Sequence, residues 1–115
     1  MKIATWNVNS INARIEHLTS FIKKDQSDIY LLQELKTIED GFPKGIIEKM
    51  GYNSYIKGQK AWNGVAMLSK KQLNITNTSI PKYEDPNSRF IEAEIQNQER
   101  INDSLFEAKI YLKNK

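Results

Sequence analysis

Two oxygen-bearing side chains, Asn7 and Glu34, are the first candidates for chemistry in this 115-residue sequence. Asn7 falls near the end of the β-branched and aromatic run K-I-A-T-W-N-V, and Glu34 directly follows the apolar run D-I-Y-L-L-Q. A carboxylate beside a carboxamide offers the oxygen ligands that Mg²⁺ or Mn²⁺ prefers. The spacing alone leaves another interpretation open, in which the Asn caps a turn and the Glu lies in solvent.

A second group of polar and aromatic residues lies in the segment G-Q-K-A-W-N-G from Gly58 to Gly64. Functional residues concentrate on loops that a scaffold holds, and a lysine with backbone amides can bind phosphate. The segment is not a Walker loop, because its second glycine is not followed by Lys and then Ser or Thr. A β-hairpin turn with Trp62 as an edge anchor is the other interpretation. Arg89, at the start of a later strand, suits phosphate binding or a surface ion pair.

The elements that must position Asn7 and Glu34 are a strand, a helix and a second strand. Residues 2–8 are typical of a strand. Apolar residues spaced four, three and four apart predict a helix from Ile11, and residues 28–33 predict a strand buried on both faces. Such a βαβ unit has parallel strands, whose carboxyl ends share one edge of the sheet. We therefore expect Asn7 and Glu34 at the edge where open α/β sheets bind ligands.

The rest of the chain predicts short strands joined by short connections, which favour antiparallel pairing. A loop is expected at 37–44, a short helix at 45–50 and a further loop at 81–87. The polar stretch 96–104 suits a hairpin connection. The predicted strands are 52–57, 64–69, 73–80, 90–95 and 106–112. The fold class is therefore α/β, a mixed sheet with a βαβ start and an antiparallel continuation, in a single domain spanning 1–115.

Composition narrows the class of protein further. There are 17 Lys and Arg against 14 Asp and Glu, and no cysteine. The absence of cysteine excludes disulfides, thiolate zinc sites, iron–sulfur clusters and a cysteine nucleophile. The mild net charge of +3 permits nucleic-acid binding without requiring it. No apolar run reaches the roughly 20 residues that span a bilayer, so we expect a cytoplasmic protein without a membrane partner.

Several segments together resemble the exonuclease III family of DNA-repair nucleases. The opening M-K-I-A-T-W-N-V-N-S-I is similar to the family's first strand, and L-L-Q-E-L-K at 31–36 is similar to its second motif. The segments G-Y-N at 51, G-Q-K at 58 and G-V-A-M-L-S at 64 follow in the family's order, and R-F-I-E-A-E-I at 89–95 resembles its next strand. The likeness runs from residue 1 to about residue 95.

This resemblance implies a Mg²⁺-dependent phosphodiesterase of the endonuclease/exonuclease/phosphatase superfamily, acting on double-stranded DNA from 3′ ends and at abasic sites. It also implies the N-terminal part of a four-layer α/β sandwich. By position, Glu34 would bind the metal directly, and Asn7 would complete the metal site through its amide oxygen or a hydrogen bond. Tyr111 would be the family's active-site tyrosine. The residues implied to line a groove for DNA phosphates are Gln59, Lys60, Asn63 and Arg89.

Two further family segments, Gly-Asp-x-Asn and Ser-Asp-His, have no counterpart in these 115 residues. They would supply the carboxylate that orients the attacking water and the histidine that stabilises the phosphate. We therefore expect this truncated chain to be weak or inactive alone, with a C-terminal fragment as a possible complement. If the segments form one sheet, its open apolar face predicts self-association. The alternative function is a non-catalytic remnant or a weak DNA-binding module.

Overall fold

The structure is a computed structural model that describes residues 1–59, 62–78, 90–101 and 104–113. Side chains are described for 1–59, 62–76, 78 and 91–95. The elements follow in the order β1 (Ile3–Asn7), α1 (Ile15–Asp25), β2 (Ile29–Gln33), a 3-10 turn (Glu39–Gly41), α2 (Lys44–Lys49), β3 (Asn53–Lys57), β4 (Val65–Ser69), β5 (Asn74–Asn77), β6 (Phe90–Ile101) and β7 (Ser104–Lys113).

The first sheet has the strand order β1-β2-β4-β3. β1 pairs with β2 in parallel, with Asn7 opposite Gln33, and α1 provides the crossover between them. β4 then pairs antiparallel with both β2 and β3. The prediction of a mixed sheet with a βαβ start and an antiparallel continuation is confirmed. The carboxyl ends of β1 and β2 therefore lie side by side.

A second, antiparallel sheet has the order β5-β6-β7. β6 and β7 form the predicted hairpin, but the bounds predicted for its connection, 96–104, are wrong, because the backbone of β6 continues to Ile101 and β7 begins at Ser104. A ladder between neighbouring strands satisfies backbone N–H and C=O groups whatever the polarity of the side chains. The polar composition of this stretch therefore did not mark the end of the strand.

Two apolar clusters hold these layers together. The first packs Leu18 and Ile22 of α1 and Ile47 of α2 against one face of the first sheet. The second lies between the sheets, where Met67 of β4 meets Ile91 of β6. Every residue of β4 is buried, since it is central and covered on both faces. The second sheet thus covers the face that would have been open, and the premise for expecting self-association, a single sheet, is not met.

The start of α1 differs from the prediction. The helix begins at Ile15, whereas the apolar spacing predicted a start at Ile11. Ile11 is fully buried, but its N–H donates to the carbonyl of Leu35 at 3.0 Å. A turn from residue 11 to residue 14 therefore places the first apolar side chain in the core before the helix starts. Apolar spacing reports burial, and a turn can bury a side chain as well as a helix can.

At the edge of the sheet opposite the ends of β1 and β2, a polar cluster joins three elements. The Asp25 carboxylate accepts hydrogen bonds from Lys2 Nζ at 2.6 Å, from Tyr30 Oη at 2.9 Å and from Ser27 Oγ. The hydrogen bond from Lys2, followed by that from Ser27, lowers the pKa of Asp25 to about 2. The Tyr52 hydroxyl donates to the Ser27 carbonyl at 2.5 Å, and burial raises its pKa, so it stays a donor. The cluster fixes the end of α1 to the starts of β1 and β2.

This cluster predicts a specific dependence of stability on pH. The folded pKa of Asp25, about 2, lies below the unfolded value of about 3.9. The stabilisation is therefore complete above about pH 4 and is lost as the pH falls towards 2. We expect Asp25→Asn to have a lower free energy of unfolding than the wild type at pH 6. The difference between the two proteins should shrink as the pH approaches 2. Urea denaturation of both proteins at stepped pH values measures the free energy of unfolding.

Asp40→Asn is the matched control, because Asp40 is an exposed carboxylate in the 3-10 turn. We expect the free energy of unfolding of Asp40→Asn to change with pH as that of the wild type does. If the free energies of Asp25→Asn and wild type differed by the same amount from pH 6 to pH 2, the lowered pKa of Asp25 would be contradicted.

Candidate functional site

The ends of β1 and β2 bring Asn7 and Glu34 into contact. Asn7 is the last residue of β1 and Glu34 directly follows β2, and the amide Nδ2 of Asn7 donates a hydrogen bond to Oε2 of Glu34. Asn7 is exposed and Glu34 is half-buried. The topological expectation that both lie at the same edge is met. The side chains form a small polar site that solvent and solutes can reach.

The orientation of the Asn7 amide follows from its second partner. The backbone N–H of Asn9 donates to Oδ1 of Asn7 at 3.1 Å. A backbone N–H can only donate, so the amide oxygen faces Asn9 and the amide nitrogen faces the carboxylate. In the structure Asn7 therefore donates a hydrogen bond to Glu34 and accepts one from Asn9, and its role in a metal site stays a prediction.

The backbone around this pair adopts left-handed conformations that side chains other than glycine rarely take. Of the six non-glycine residues with positive φ in the described part of the chain, five lie in the loops that follow β1 and β2 or directly precede β4. Such conformations cost about 1–3 kcal/mol each and cluster at ligand-binding and catalytic sites. The five residues and their φ angles are Asn9 (44°), Ser10 (81°), Glu34 (53°), Lys36 (56°) and Asn63 (49°).

Backbone hydrogen bonds connect these loops and hold them in place. The N–H of Ser10 donates to the Glu34 carbonyl at 2.9 Å. On the other side, the N–H of Lys36 donates to the Asn63 carbonyl at 2.9 Å, and that of Leu35 donates to the Gly64 carbonyl at 3.2 Å. The segment that carries Glu34 is thus bonded on both flanks. We call it, from Glu34 to Lys36, the central segment.

Lys36 is a site residue that the analysis of the sequence did not single out. Its Nζ donates to Oδ1 of Asn9 at 2.5 Å, which places a cation on the residue whose N–H donates to Asn7. The motif L-L-Q-E-L-K contains it, and its position two residues after Glu34 matches that of Asn9 two residues after Asn7. This equal spacing is the feature of the sequence that could have identified Lys36 as a site residue. The site therefore combines a carboxylate with a nearby ammonium group.

Of the residues expected to contact DNA phosphates, the structure brings Gln59 and Asn63 together. Asn63 Nδ2 donates to Gln59 Oε1 at 3.3 Å, and the Gln59 N–H donates to the Thr37 carbonyl at 3.0 Å. Both residues thus lie beside the loop that follows the central segment. Lys60 and Arg89 are outside the described residues.

Tyr111, the expected active-site tyrosine, lies in β7, where its backbone is opposite Glu92 of β6. Its side chain is outside the described part of the structure, so its role stays a prediction.

Two features are absent from the described part of the chain. No group of three or more His, Cys, Asp or Glu side chains is placed to hold a metal ion. No helix is long and apolar enough to cross a membrane.

Comparison with known proteins identifies the class of protein. Residues 4–106 match the Endonuclease/Exonuclease/phosphatase family, and the chain belongs to this family. The family relationship predicted from the motifs is confirmed. The chain is 35% identical over 99 residues to exodeoxyribonuclease III of Haemophilus influenzae, an overlap of 85% of this chain and 37% of that protein.

Solved structures agree with this assignment. A 3′-5′ exonuclease (NExo) from Neisseria meningitidis matches with a TM-score of 0.77 and 39% identity, over 81% of this chain and 37% of that chain. A second structure of NExo, described as a 3′ phosphatase bound to product DNA hairpin, matches equally well. An AP endonuclease from Archaeoglobus fulgidus matches with a TM-score of 0.72 and 34% identity, over 81% and 36% of the two chains. The chain therefore spans less than two fifths of the length of these proteins.

Gly64 directly precedes β4 and accepts a hydrogen bond from the central segment, and we expect substitution of this glycine to destabilise the protein. Gly64 has a φ of 92°, and a Cβ at this position would lie 3.0 Å from Cβ of Leu35. We expect Gly64→Ala to lower the free energy of unfolding by about 1–3 kcal/mol, because it adds a strained φ to a tight contact. Urea denaturation followed by circular dichroism measures the change.

Gly45→Ala is the matched control, since Gly45 lies in α2 and an added Cβ would meet nothing within 4 Å. We expect that variant to be as stable as the wild type or more stable by up to about 1 kcal/mol. Equal effects of the two substitutions would contradict the constraint at Gly64.

Proposed function

We propose that this chain carries the Glu34 part of the active site of a Mg²⁺-dependent nuclease of the exonuclease III type, acting on double-stranded DNA. The observation that carries the proposal is the Asn7–Glu34 hydrogen bond at the carboxyl edge of the sheet. Ligands bind at this edge in open α/β sheets. Similarity to exodeoxyribonuclease III, to an AP endonuclease and to a nuclease solved with a DNA hairpin supports DNA as the substrate class.

The residues present fit a hard divalent cation. Glu34 offers a half-buried carboxylate, which is the preferred ligand type of Mg²⁺ and Mn²⁺. The hydrogen bond from Asn7 occupies Oε2 and fixes the plane of the carboxylate. Glu34 would hold the cation, and Asn7 would orient Glu34. When bound, such a cation neutralises charge on phosphate oxygens.

The affinity of this site for a cation depends on the number of ligands that it offers. The Glu34 carboxylate is the cation ligand that the proposal names, and the described residues contain no group of three or more His, Cys, Asp or Glu side chains that could hold a metal ion. Mg²⁺ releases its waters reluctantly and binds tightly only where several ligands converge. We therefore propose that the 115-residue chain binds the cation weakly by itself.

Lys36 and the loop before β4 would provide the contacts to DNA. The Lys36 ammonium lies against Asn9, which is itself hydrogen-bonded to Asn7, so it suits a phosphate that approaches the cation. Gln59 and Asn63 extend the polar surface beside it. Lys60 and Arg89 belong to this proposal on the family resemblance. Phosphate contacts of this kind give salt-dependent binding without sequence preference.

Cation binding tests the proposal first. We expect Mn²⁺ binding, measured by electron paramagnetic resonance, to weaken roughly tenfold or more in Glu34→Gln, because the charged ligand is removed. Asn7→Ala should weaken it less, because that variant keeps the carboxylate and loses its orientation. Glu16→Gln is the control, since Glu16 is an exposed carboxylate on α1. Equal binding by Glu34→Gln and wild type would reject the cation site.

Binding and cleavage of DNA test the substrate class. We expect fluorescence anisotropy to show affinity for an abasic-site duplex that falls with salt. Lys60→Ala and Arg89→Ala should each reduce the slope of log K against log salt by about 1. Lys23→Ala, at the far end of α1, should leave the slope unchanged.

Cleavage of the same duplex with Mg²⁺ is expected to be slow. A positioned general base contributes about 10²–10⁴ in rate, and the hydrogen bonds recorded among the described residues join Glu34 to the Asn7 amide, not to a group suited to that role. Cleavage above the level of Glu34→Gln would establish that the chain is an active nuclease. Salt-dependent binding without such cleavage is the outcome that the alternative, a DNA-binding module, also predicts. No binding at all would reject DNA as the substrate class.

A further inference from the structure

One outer strand of the first sheet, β1, has a row of backbone groups that face no neighbouring strand. In the sheet order β1-β2-β4-β3, β1 pairs with β2 alone among the described residues. The Lys2 carbonyl and the Val8 N–H both hydrogen-bond to β2. Both backbone groups of a strand residue point to the same side, and successive residues point to opposite sides. The N–H and C=O groups of Ile3, Thr5 and Asn7 therefore point away from β2.

Exposed apolar side chains gather at this edge. Of the six large apolar side chains that are exposed among the described residues, three belong to β1 or adjoin it, namely Met1 (59%), Ile3 (46%) and Phe21 (40%). Phe21 lies on α1 and packs edge-to-face on Trp6 of β1, with ring centroids 6.2 Å apart. Ile3 is opposite Ile29, which belongs to the cluster between the sheets, so it lies on the other face. Exposed apolar groups beside an open strand edge mark a surface for a further strand.

β1 also lacks the features that prevent pairing at a free edge. Outer strands commonly carry a charged residue, a proline or a bulge that keeps other strands away. The five residues of β1, Ile3–Asn7, include no charged residue and no proline, and they pair with β2 in an unbroken register. β3, the outer strand on the other side of the sheet, ends in Lys57. The two edges of the sheet thus differ, and β1 is the one suited to accept a strand.

We infer that β1 pairs antiparallel with β1 of a second copy of this chain, with Thr5 on the twofold axis. In this register Thr5 lies opposite the partner's Thr5, and each Ile3 lies opposite the partner's Asn7. The outward N–H and C=O groups of all three residues then find partners. A second copy matches this row by symmetry, since a twofold axis uses the same surface in both copies. The facing strands are uncharged, so no like charges meet.

The size of this interface indicates a weak dimer. Two five-residue strands and a few apolar side chains bury less than the roughly 1,200 Å² typical of stable complexes. We expect a dissociation constant on the order of 10–100 µM. The second sheet covers the central strands of the first, so the basis for this association is the edge of β1 and not an open sheet face.

Opposite charges at position 5 test the twofold register. Thr5→Lys and Thr5→Glu each place like charges across the axis, so each variant alone should self-associate about tenfold more weakly than the wild type. An equimolar mixture of the two should recover the association, because the facing charges are then opposite. Sedimentation velocity over a concentration series measures all of these. Gln72→Lys and Gln72→Glu, at an exposed residue between β4 and β5, are the matched controls and should associate as the wild type does.

Amide hydrogen exchange of the wild type follows the same pairing without a substitution. The outward N–H of Thr5 should become more protected from exchange as the protein concentration rises through the range of the dimer. The N–H groups of β3 should exchange at a constant rate. Circular dichroism of the variants shows whether each of them folds.

The outcomes decide the inference separately from the proposed function. A chain that stays monomeric throughout the series would overturn it, and so would association that both Thr5 variants retain. Association that folded variants lose and that their mixture does not recover would overturn the twofold register. Exchange at Thr5 that is independent of concentration would overturn the pairing of β1. None of these results depends on cation or DNA binding, which the measurements on Glu34, Lys60 and Arg89 test.

Discussion

The parallel pairing of β1 with β2 is the constraint on which the rest of this structure depends. Parallel strands cannot be joined by a tight turn, so α1 must cross over and pack on the sheet. The pairing continues past the ends of the strands, where the Val8 N–H donates to Gln33 and the Ser10 N–H donates to Glu34. This extension delivers the loops after both strands to the same point. Without it, Asn7 and Glu34 would be two polar residues on separate turns.

The loops at that point are held in conformations that they would not adopt alone. Asn9 and Asn63 tolerate a positive φ comparatively well, but the same conformation is unfavourable for Glu34 and Lys36. Hydrogen bonds from Leu35 to Gly64 and from Lys36 to Asn63 offset this cost along the central segment. The polar cluster around Asp25 secures the opposite edge of the same strands. The energetic support of the site is therefore spread over the whole first sheet.

The sequence predicted those parts of the structure that follow from the spacing of apolar residues and from the topology of a βαβ unit. The β-branched and aromatic run of β1, the apolar stripe of α1 and the apolar run of β2 were enough to predict that Asn7 and Glu34 lie at the same edge of the sheet. The contact between Lys36 and Asn9 was missed, since it depends on left-handed loop residues for which no periodicity exists. The extension of β6 to Ile101 was missed for a different reason, because polar residues pair in a ladder as readily as apolar ones when backbone partners are available.

An amide at position 7 changes what the site can do, compared with a second carboxylate. A carboxylate there would repel Glu34 and would attract a cation more strongly on its own. The Asn7 amide instead donates a hydrogen bond to Glu34, and its oxygen accepts one from the N–H of Asn9. Asn7 therefore fixes the orientation of the Glu34 carboxylate and adds no negative charge. In the proposed function, Glu34 would hold the cation with no second charged ligand from Asn7, and a phosphate oxygen would be well suited as a further ligand. Lys36 would favour the same phosphate through its charge. Cation and phosphate would then bind together more tightly than either binds alone, because each supplies the partner that the other lacks.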